Sequence, residues 1–325
     1  MKPLNTGTII LMAYPNTFVK PSGEFICKIT PYLGIGTKDY TQAGHSALCL
    51  INNKTGEINY YDFGRYITPD GFGRVRNKST DTELHIPITA CFKNNILENT
   101  YEILRWLRSY PEKTHGDGDL YASILYDVDY EDACNFIKNI HIRGSIPYGI
   151  FIKQGSNCSR FVADTVIAST TNPIILKRIV GESRVTPSPL GVVNKGRNSE
   201  QVFIVGENEI SEIKNISWIK NMKNFLEKKY KNEKTIYQPK ITKKDLHYLS
   251  GIGHGAYFNL RKNKNDEYII SRLDKKGITN FEDVFIPEDN SFDITKKYFF
   301  VYDSNCEYCH INQNNSIYRF NRKRT

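Results

Sequence analysis

At 325 residues the chain is about twice an ordinary single domain, and 39% hydrophobic with 12% aromatic residues can form a sizeable core, which excludes a disordered or fibrous protein. The formal charge of +9 is scattered in Lys-Lys pairs (Lys228-Lys229, Lys243-Lys244, Lys275-Lys276, Lys296-Lys297), not gathered in a stripe interleaved with aromatics, so no nucleic-acid partner is expected. Seven cysteines, five of them alone in ordinary segments, make no disulfide framework and point to a reducing compartment. No stretch approaches the roughly 20 apolar residues of a membrane span.

In chain order, residues 7–14 read as a buried strand ended by Pro15, preceded by one Lys and no small-residue cleavage site. That absence of a signal peptide makes the chain cytoplasmic by expectation, with delivery by a non-classical route left open. A loop rich in Gly, Pro and Lys, which holds Cys27 among apolar neighbours, runs to Ala43. Apolar runs at 44–51 and 58–64 flank the Asn/Gly-rich turn Asn52-Asn53-Lys54-Thr55-Gly56, a hairpin signal. A strand is expected over 83–90 and helices over Asn99–Tyr110, Asp129–Ile140 and Cys158–Ser169, each with apolar residues at helical spacing. Residues 184–200 read as loop, 201–206 as a short strand, and Ile210 to about Tyr230 as an amphipathic basic helix. Beyond it, alternation at Ala256–Leu260, Glu267–Leu273, Tyr298–Tyr302 and Ser316–Phe320 gives strands. The organisation that follows is an α+β domain over 1–205, an amphipathic helical connector over 206–235 and a small β-rich domain over 236–325.

One cysteine stands out by its context. A thiol attacks as its thiolate, and a free cysteine is only a few per cent ionised at neutral pH, so a catalytic one needs help. Cys158 follows the turn-forming and capping sequence Gly155-Ser156-Asn157 and opens a strongly periodic helix, where partial positive charge and free amides gather. The amides of Cys158 and Ser159 would face a developing oxyanion. His45, opening a strand after Gly44, is the candidate base. With the hairpin turn centred on Lys54-Thr55, paired positions sum to 109, which sets His45 opposite Gly64. Asp62 is then diagonal to His45 on the same face and able to orient its ring, with Tyr60 as the substitute.

A Gly-His strand opening, a hairpin with a polar residue on the return strand and a later Asn-Cys-x-x-Phe at a helix start resemble circularly permuted papain-like hydrolases. That superfamily includes NlpC-type cell-wall amidases and the lecithin retinol acyltransferase group. The strings Ala13-Tyr14-Pro15, Ala43-Gly44-His45-Ser46-Ala47, Tyr61-Asp62-Phe63-Gly64-Arg65-Tyr66, Asn157-Cys158-Ser159-Arg160-Phe161-Val162 and Thr186-Pro187-Ser188-Pro189 also resemble hydrolase domains attached to bacterial secreted toxins. The likeness covers roughly residues 7–195. It implies an antiparallel sheet with helices, Cys158 as nucleophile and His45 as base, with Asp62 carried over less securely because the third residue varies in the superfamily.

Other residues are weighed beside these. Arg65 is a candidate for binding a substrate carboxylate, against pairing with a local acid. Tyr14 is a candidate oxyanion donor, against an ordinary core tyrosine, and Asn157 a candidate substrate contact. His115-Gly116-Asp117-Gly118-Asp119 reads as a surface turn or a lid. Cys306, Cys309 and His310 are weak metal candidates, more simply a turn with reduced thiols, and Gly251-Ile252-Gly253-His254-Gly255 lacks the Lys-Ser/Thr and following helix of a phosphate loop. No cofactor is expected. The first reading is a cysteine hydrolase acting on an amide (peptide or peptidoglycan-like) or ester through a thioester; a thiol acyltransferase and an inactive papain-like binding module are the alternatives. The C-terminal domain is assigned a protein or glycan partner.

Overall fold

The computed structural model describes residues 5–21, 24, 32, 36–184, 186–217, 226, 227 and 245–323. The strands of the first part are β1 (Gly7–Tyr14), β2 (His45–Asn52), β3 (Ile58–Gly64), β4 (Phe72–Arg76), β5 (Phe92–Lys93), β6 (Ile96–Leu97), β7 (Leu120–Val128), β8 (Ile146–Pro147), β9 (Val202–Val205) and β10 (Ile210–Ile213). The α-helices among the described residues are α1 (Thr100–Ser109), α2 (Pro111–Thr114), α3 (Tyr130–His141), α4 (Cys158–Ser169), α5 (Pro173–Glu182) and α6 (Pro189–Lys195). Eight strands form one antiparallel sheet in the order β10-β9-β7-β1-β2-β3-β4-β8.

β1 is central and buried along its whole length, which is why it reads as a continuous apolar run. Its alternate side chains feed two cores. Ile9, Leu11 and Ala13, with Leu48, Leu50 and Phe63, pack under α3, α4, α5 and α6. Ile10, Met12 and Tyr14, with Ala47 and Cys49, pack under α1 and the segment around Leu84–Leu97.

The second part is all β: β11 (His247–Leu249), β12 (Ala256–Lys262), β13 (Tyr268–Leu273), β14 (Thr279–Pro287), β15 (Phe299–Val301), β16 (Tyr308–Gln313) and β17 (Ser316–Arg322). They form an antiparallel sheet in the order β11-β12-β13-β14-β17-β16-β15 around Phe258, Ile270, Phe285, Ile311 and Phe320. The sheet curls until its edges meet, with the His247 ring 5.3–5.9 Å from Tyr298, Phe299 and Phe300, giving a barrel-like β-rich domain. The architecture is therefore the expected α+β class.

The two parts are joined through buried charge. Arg272 on β13, fully buried, donates to Asp81 (3.3 Å) and Glu83 (2.6 Å) of the first part, and Asp81 also takes a bidentate pair from Arg74 (2.7 and 3.0 Å). Ile67 N–H donates to His254 carbonyl (2.8 Å), Gly253 N–H to Arg65 carbonyl (2.9 Å) and Cys306 N–H to Thr80 carbonyl (3.0 Å).

Several local expectations are corrected. Ile210–Ile213 (Ile-Ser-Glu-Ile), expected to open the amphipathic helix, is β10; it pairs with β9 across a hairpin at Gly206–Glu209, and that backbone pairing, not an apolar alternation, makes it a strand. Of the remainder of that helix, 218–225 and 228–230 lie outside the described residues, as does Cys27. Residues 83–90 make one isolated bridge, His85 with Asn59, and a 3-10 turn at Thr82–Leu84; Pro87 denies the segment a ladder donor. The loop over 184–200 contains α6, started by Ser188 as N-cap to Gly191 N–H and Pro189 at the first turn.

Candidate active site

Gly44 turns into β2 at φ +75°, where a side chain would be strained and a Cβ would come 3.1–3.2 Å from Pro189, Pro15 and Tyr14. His45 is thereby set at the mouth of the strand. The β2–β3 ladder pairs Ala47 with Asp62 and Cys49 with Tyr60, so paired positions sum to 109, and Asp62 lies diagonal to His45. His45 Nε2 sits 3.2 Å from Asp62 Oδ2. Tyr60 does not take the place of Asp62; its hydroxyl donates to the same Oδ2 at 3.0 Å.

Asp62 is fully buried, which by itself would raise its pKa, but the Arg76 guanidinium and the His45 hydrogen bond hold it below the usual carboxylate range. Arg76 donates through Nε to Oδ1 (2.9 Å) and through Nη2 to Oδ2 (2.5 Å) and lies over the Tyr66 ring, 3.8 Å from its centroid. The carboxylate is thus locked by three donors and cannot rotate away from His45.

Cys158 begins α4. Asn157 caps the helix by accepting from Arg160 N–H (2.9 Å) and donates to Gly149 carbonyl (3.2 Å), so this residue positions the turn and is spent on it. Gly155 is required there, since a Cβ would fall 2.4 Å from Pro147 carbonyl. First-turn amides at Cys158 and Ser159 have no intrahelical acceptor. The Ser159 hydroxyl meets Ser46 Oγ at 2.9 Å, tying the helix start to the strand that carries His45.

Cys158 is 7% exposed and His45 5%. Burial pushes the thiol up, yet the hydrogen bond and charge of His45, with the Ser46 amide and Ser159 hydroxyl, outweigh it and hold Cys158 below its ordinary value. Burial pushes His45 down, and its hydrogen bonds to Asp62 and Cys158 reverse this, raising the imidazole to about 9. With Nε2 on Asp62, Nδ1 is the nitrogen left for the thiol. Thiolate and imidazolium stabilise each other, the arrangement that makes a thiol a nucleophile near neutral pH.

The other sequence candidates are placed as follows. Tyr14 pairs with His45 across β1–β2, and its ring stacks on the imidazole at 6.4 Å and 20°; Gly116 also lies against it, where a Cβ would be 2.2 Å from the ring. Burial pushes the Tyr14 hydroxyl well above its ordinary value, leaving it protonated. Arg65 donates to the carbonyls of Lys20 and Pro21 and lies over the Tyr148 ring, 4.8 Å from its centroid. Cys306 and Cys309 are fully buried free thiols pushed up by burial; Cys309 Sγ donates to Asn305 carbonyl (3.3 Å), and His310 Nδ1 is 2.6 Å from Asp303 carbonyl. No group of three or more His, Cys, Asp or Glu placed to hold a metal occurs among the described residues.

Two residues escaped the sequence reading. Arg76 was signalled by charged residues alternating around Val75 in a buried strand. Tyr148 adjoins the Cys158 thiol, and its ring stacks on Phe63 at 5.9 Å; burial first, then the neighbouring Cys158, raises its hydroxyl. Ile146-Pro147-Tyr148-Gly149 before the cysteine turn was its sole signal. A cleft of about 480 Å³ opens beside His45, Arg65 and Tyr148.

A family model described as type VI secretion system effector TseH-like matches residues 9–175, which is 167 of 325 residues. A second, the DUF6695 C-terminal domain, matches 246–323. A crystal structure of the type VI secretion system effector TseH is similar at 19% identity and a TM-score of 0.40, covering 64% of this chain and 98% of that one. No curated protein matches the chain.

Proposed function

The chain belongs to the type VI secretion system effector TseH-like family, and from that premise we propose that it is a delivered cysteine hydrolase that cleaves an amide, of peptide or peptidoglycan type, or an ester. The observation that carries this reading is the buried Cys158–His45–Asp62 line, in which the thiol is lowered and the imidazole raised although burial opposes both. A scaffold used only for binding has no need of such a pair. The order of histidine before cysteine, on a hairpin and then a helix start, also agrees with the permuted papain-like pattern.

In this mechanism the Cys158 thiolate attacks the carbonyl carbon, and the C=O π electrons pass to oxygen. First-turn amides of α4 face that oxyanion. His45, protonated and aligned by Asp62, gives its proton to the leaving amine or alcohol as the C–N or C–O bond breaks, which leaves a thioester. A water then gives a proton to His45 and attacks the thioester carbonyl; collapse releases the acid and restores the pair. Effector membership supports synthesis in the cytoplasm and passage through the type VI apparatus, a route that needs no signal peptide.

The pH dependence of iodoacetamide labelling tests the reading, followed at the Cys158 peptide by mass spectrometry because Cys91 is exposed. Labelling in the wild type rises well below pH 8.5, and at pH 7 His45→Ala is slower by at least about 30-fold, the thiolate fraction of an unassisted thiol. A midpoint near 8.5 in both proteins would refute the dyad. As pH rises through about 9, His45 loses its proton; hydrolysis then falls while alkylation of the surviving thiolate does not.

A further inference from the structure

The cleft beside His45 is not built by the first part alone. One wall carries His45, Arg65 and Tyr148; the facing wall carries Tyr248, the Gly251–Gly253 loop and Lys275 from the β-rich domain. That facing wall is fixed in place. Besides the Gly253–Arg65 and His254–Ile67 backbone hydrogen bonds, Tyr66 and His254 form a parallel bridge. Each glycine is demanded by close approach: a Cβ at Gly251 would lie 2.2 Å from His254 carbonyl and 2.5 Å from Ile67 N, and one at Gly253 2.6 Å from the Tyr66 ring. The Gly251-Ile252-Gly253-His254-Gly255 string is thus a clasp between the two parts and a lining of the cleft. On its far side the domain is tethered by Arg272 to Asp81 and Glu83.

The charge of the cleft is one-sided. Among its described lining residues, Lys20, Arg65 and Lys275 are cationic and Asp70 is the acid. Lys275 sits on the turn between β13 and β14, half-buried. The turn itself is made by Asp274, which accepts from the amides of Lys276 (2.8 Å) and Ile278 (2.9 Å), and by Gly277 at φ +79°. A concave, low-dielectric site lined by one sign of charge concentrates ligands of the other sign.

We propose that the β-rich domain is the specificity wall of the active site, and that Lys275, with Arg65 opposite, selects substrates carrying a carboxylate near the scissile carbonyl. This rests on the hydrolase reading for the cleft's chemistry and adds to it a role for the second domain. Substrate entering between the walls would lay its anionic group toward Lys275 and Arg65 while its carbonyl reaches Cys158.

The test compares two alkylating reagents of similar size and different charge, iodoacetate and iodoacetamide, in the full-length protein at pH 7, again at the Cys158 peptide. Both lose iodide to the thiolate, so their rate ratio removes changes in the thiol itself and reports the charge of the approach. In Lys275→Glu the iodoacetate-to-iodoacetamide ratio falls by at least about threefold, and in Lys275→Gln by less, as expected for a charge lining a partly screened cleft. Lys276→Glu makes the same change in net charge on the exposed neighbouring position and leaves the ratio where it was. A reactive Cys158 whose ratio is the same in Lys275→Glu as in the wild type, or moves equally in Lys276→Glu, overturns the specificity wall and leaves the hydrolase standing. A Cys158 unreactive toward both reagents below pH 8 overturns both.

Discussion

Cys158 at the start of α4 and Cys306 in the turn before β16 are both buried thiols near cations, and the fold drives them in opposite directions. Burial is the largest influence on each and raises each. At Cys306 the Arg272 guanidinium pulls the other way, but Asp81 and Glu83, which Arg272 already serves, push back, and the thiol stays high at about 12. At Cys158 the neighbour is an imidazole that gains a proton of its own, with the charge of Asp62 behind it committed to Arg76 and His45. A cation shared with carboxylates stabilises structure. A cation created by the thiol's own ionisation activates it.

Breaking the structural network should have the largest effect. Arg272→Met leaves Asp81 and Glu83 without their link to the second domain and should lower unfolding free energy by about 3–5 kcal/mol, read by urea titration. It should also open Cys306 to Ellman's reagent at a concentration that leaves the wild-type Cys306 untouched. A loss under about 1 kcal/mol would mean that the domains are held mainly by the Gly251–Gly255 clasp.

Asp62→Asn comes next. It keeps the shape but removes the charge that supports the imidazolium, so the high-pH fall in hydrolysis should move down from about 9, and Cys158 labelling at pH 7 should slow by roughly tenfold. The sign also governs stability. Asp62 is held low, so its contribution is present at neutral pH and lost as pH falls through its folded value. His45 is held high, so its contribution is complete below its ordinary 6.5 and lost as pH rises through about 9. An unchanged high-pH limb in a folded Asp62→Asn protein would remove Asp62 from the line.

The smallest effect belongs to Cys306→Ala, which should cost about 1 kcal/mol of stability and leave the Cys158 labelling profile untouched. Movement of that profile would show that the two thiol regions are coupled through Arg272, Asp81 and Arg74.

Much of the site was legible locally. The hairpin turn at Asn52–Gly56 sets the register by counting, and that counting places Asp62 beside His45. The Asn157 cap and the apolar spacing after it mark the start of α4 to the residue. What was not legible lies on other elements. Arg76 reaches Asp62 from β4, Tyr148 reaches the thiol from the segment after β8, and Tyr248 and Lys275 come from a separate sheet. The strand at Ile210–Ile213 was misread because its two isoleucines stand three apart, the spacing of a helix face, and only the backbone pairing with β9 makes the segment a strand.

The sequence by itself determined the all-buried β1, the β2–β3 hairpin, the helix start at Cys158 and the β-rich character of the last eighty or so residues, because capping, turn chemistry and side-chain period act over a few neighbouring positions. Only the tertiary structure decided that His45 meets Cys158, that the Cys158 thiol falls while that of Cys306 rises, and that the second domain closes the cleft. Those outcomes depend on burial and on the summed pull of charges brought together from distant parts of the chain, a balance that no local pattern carries.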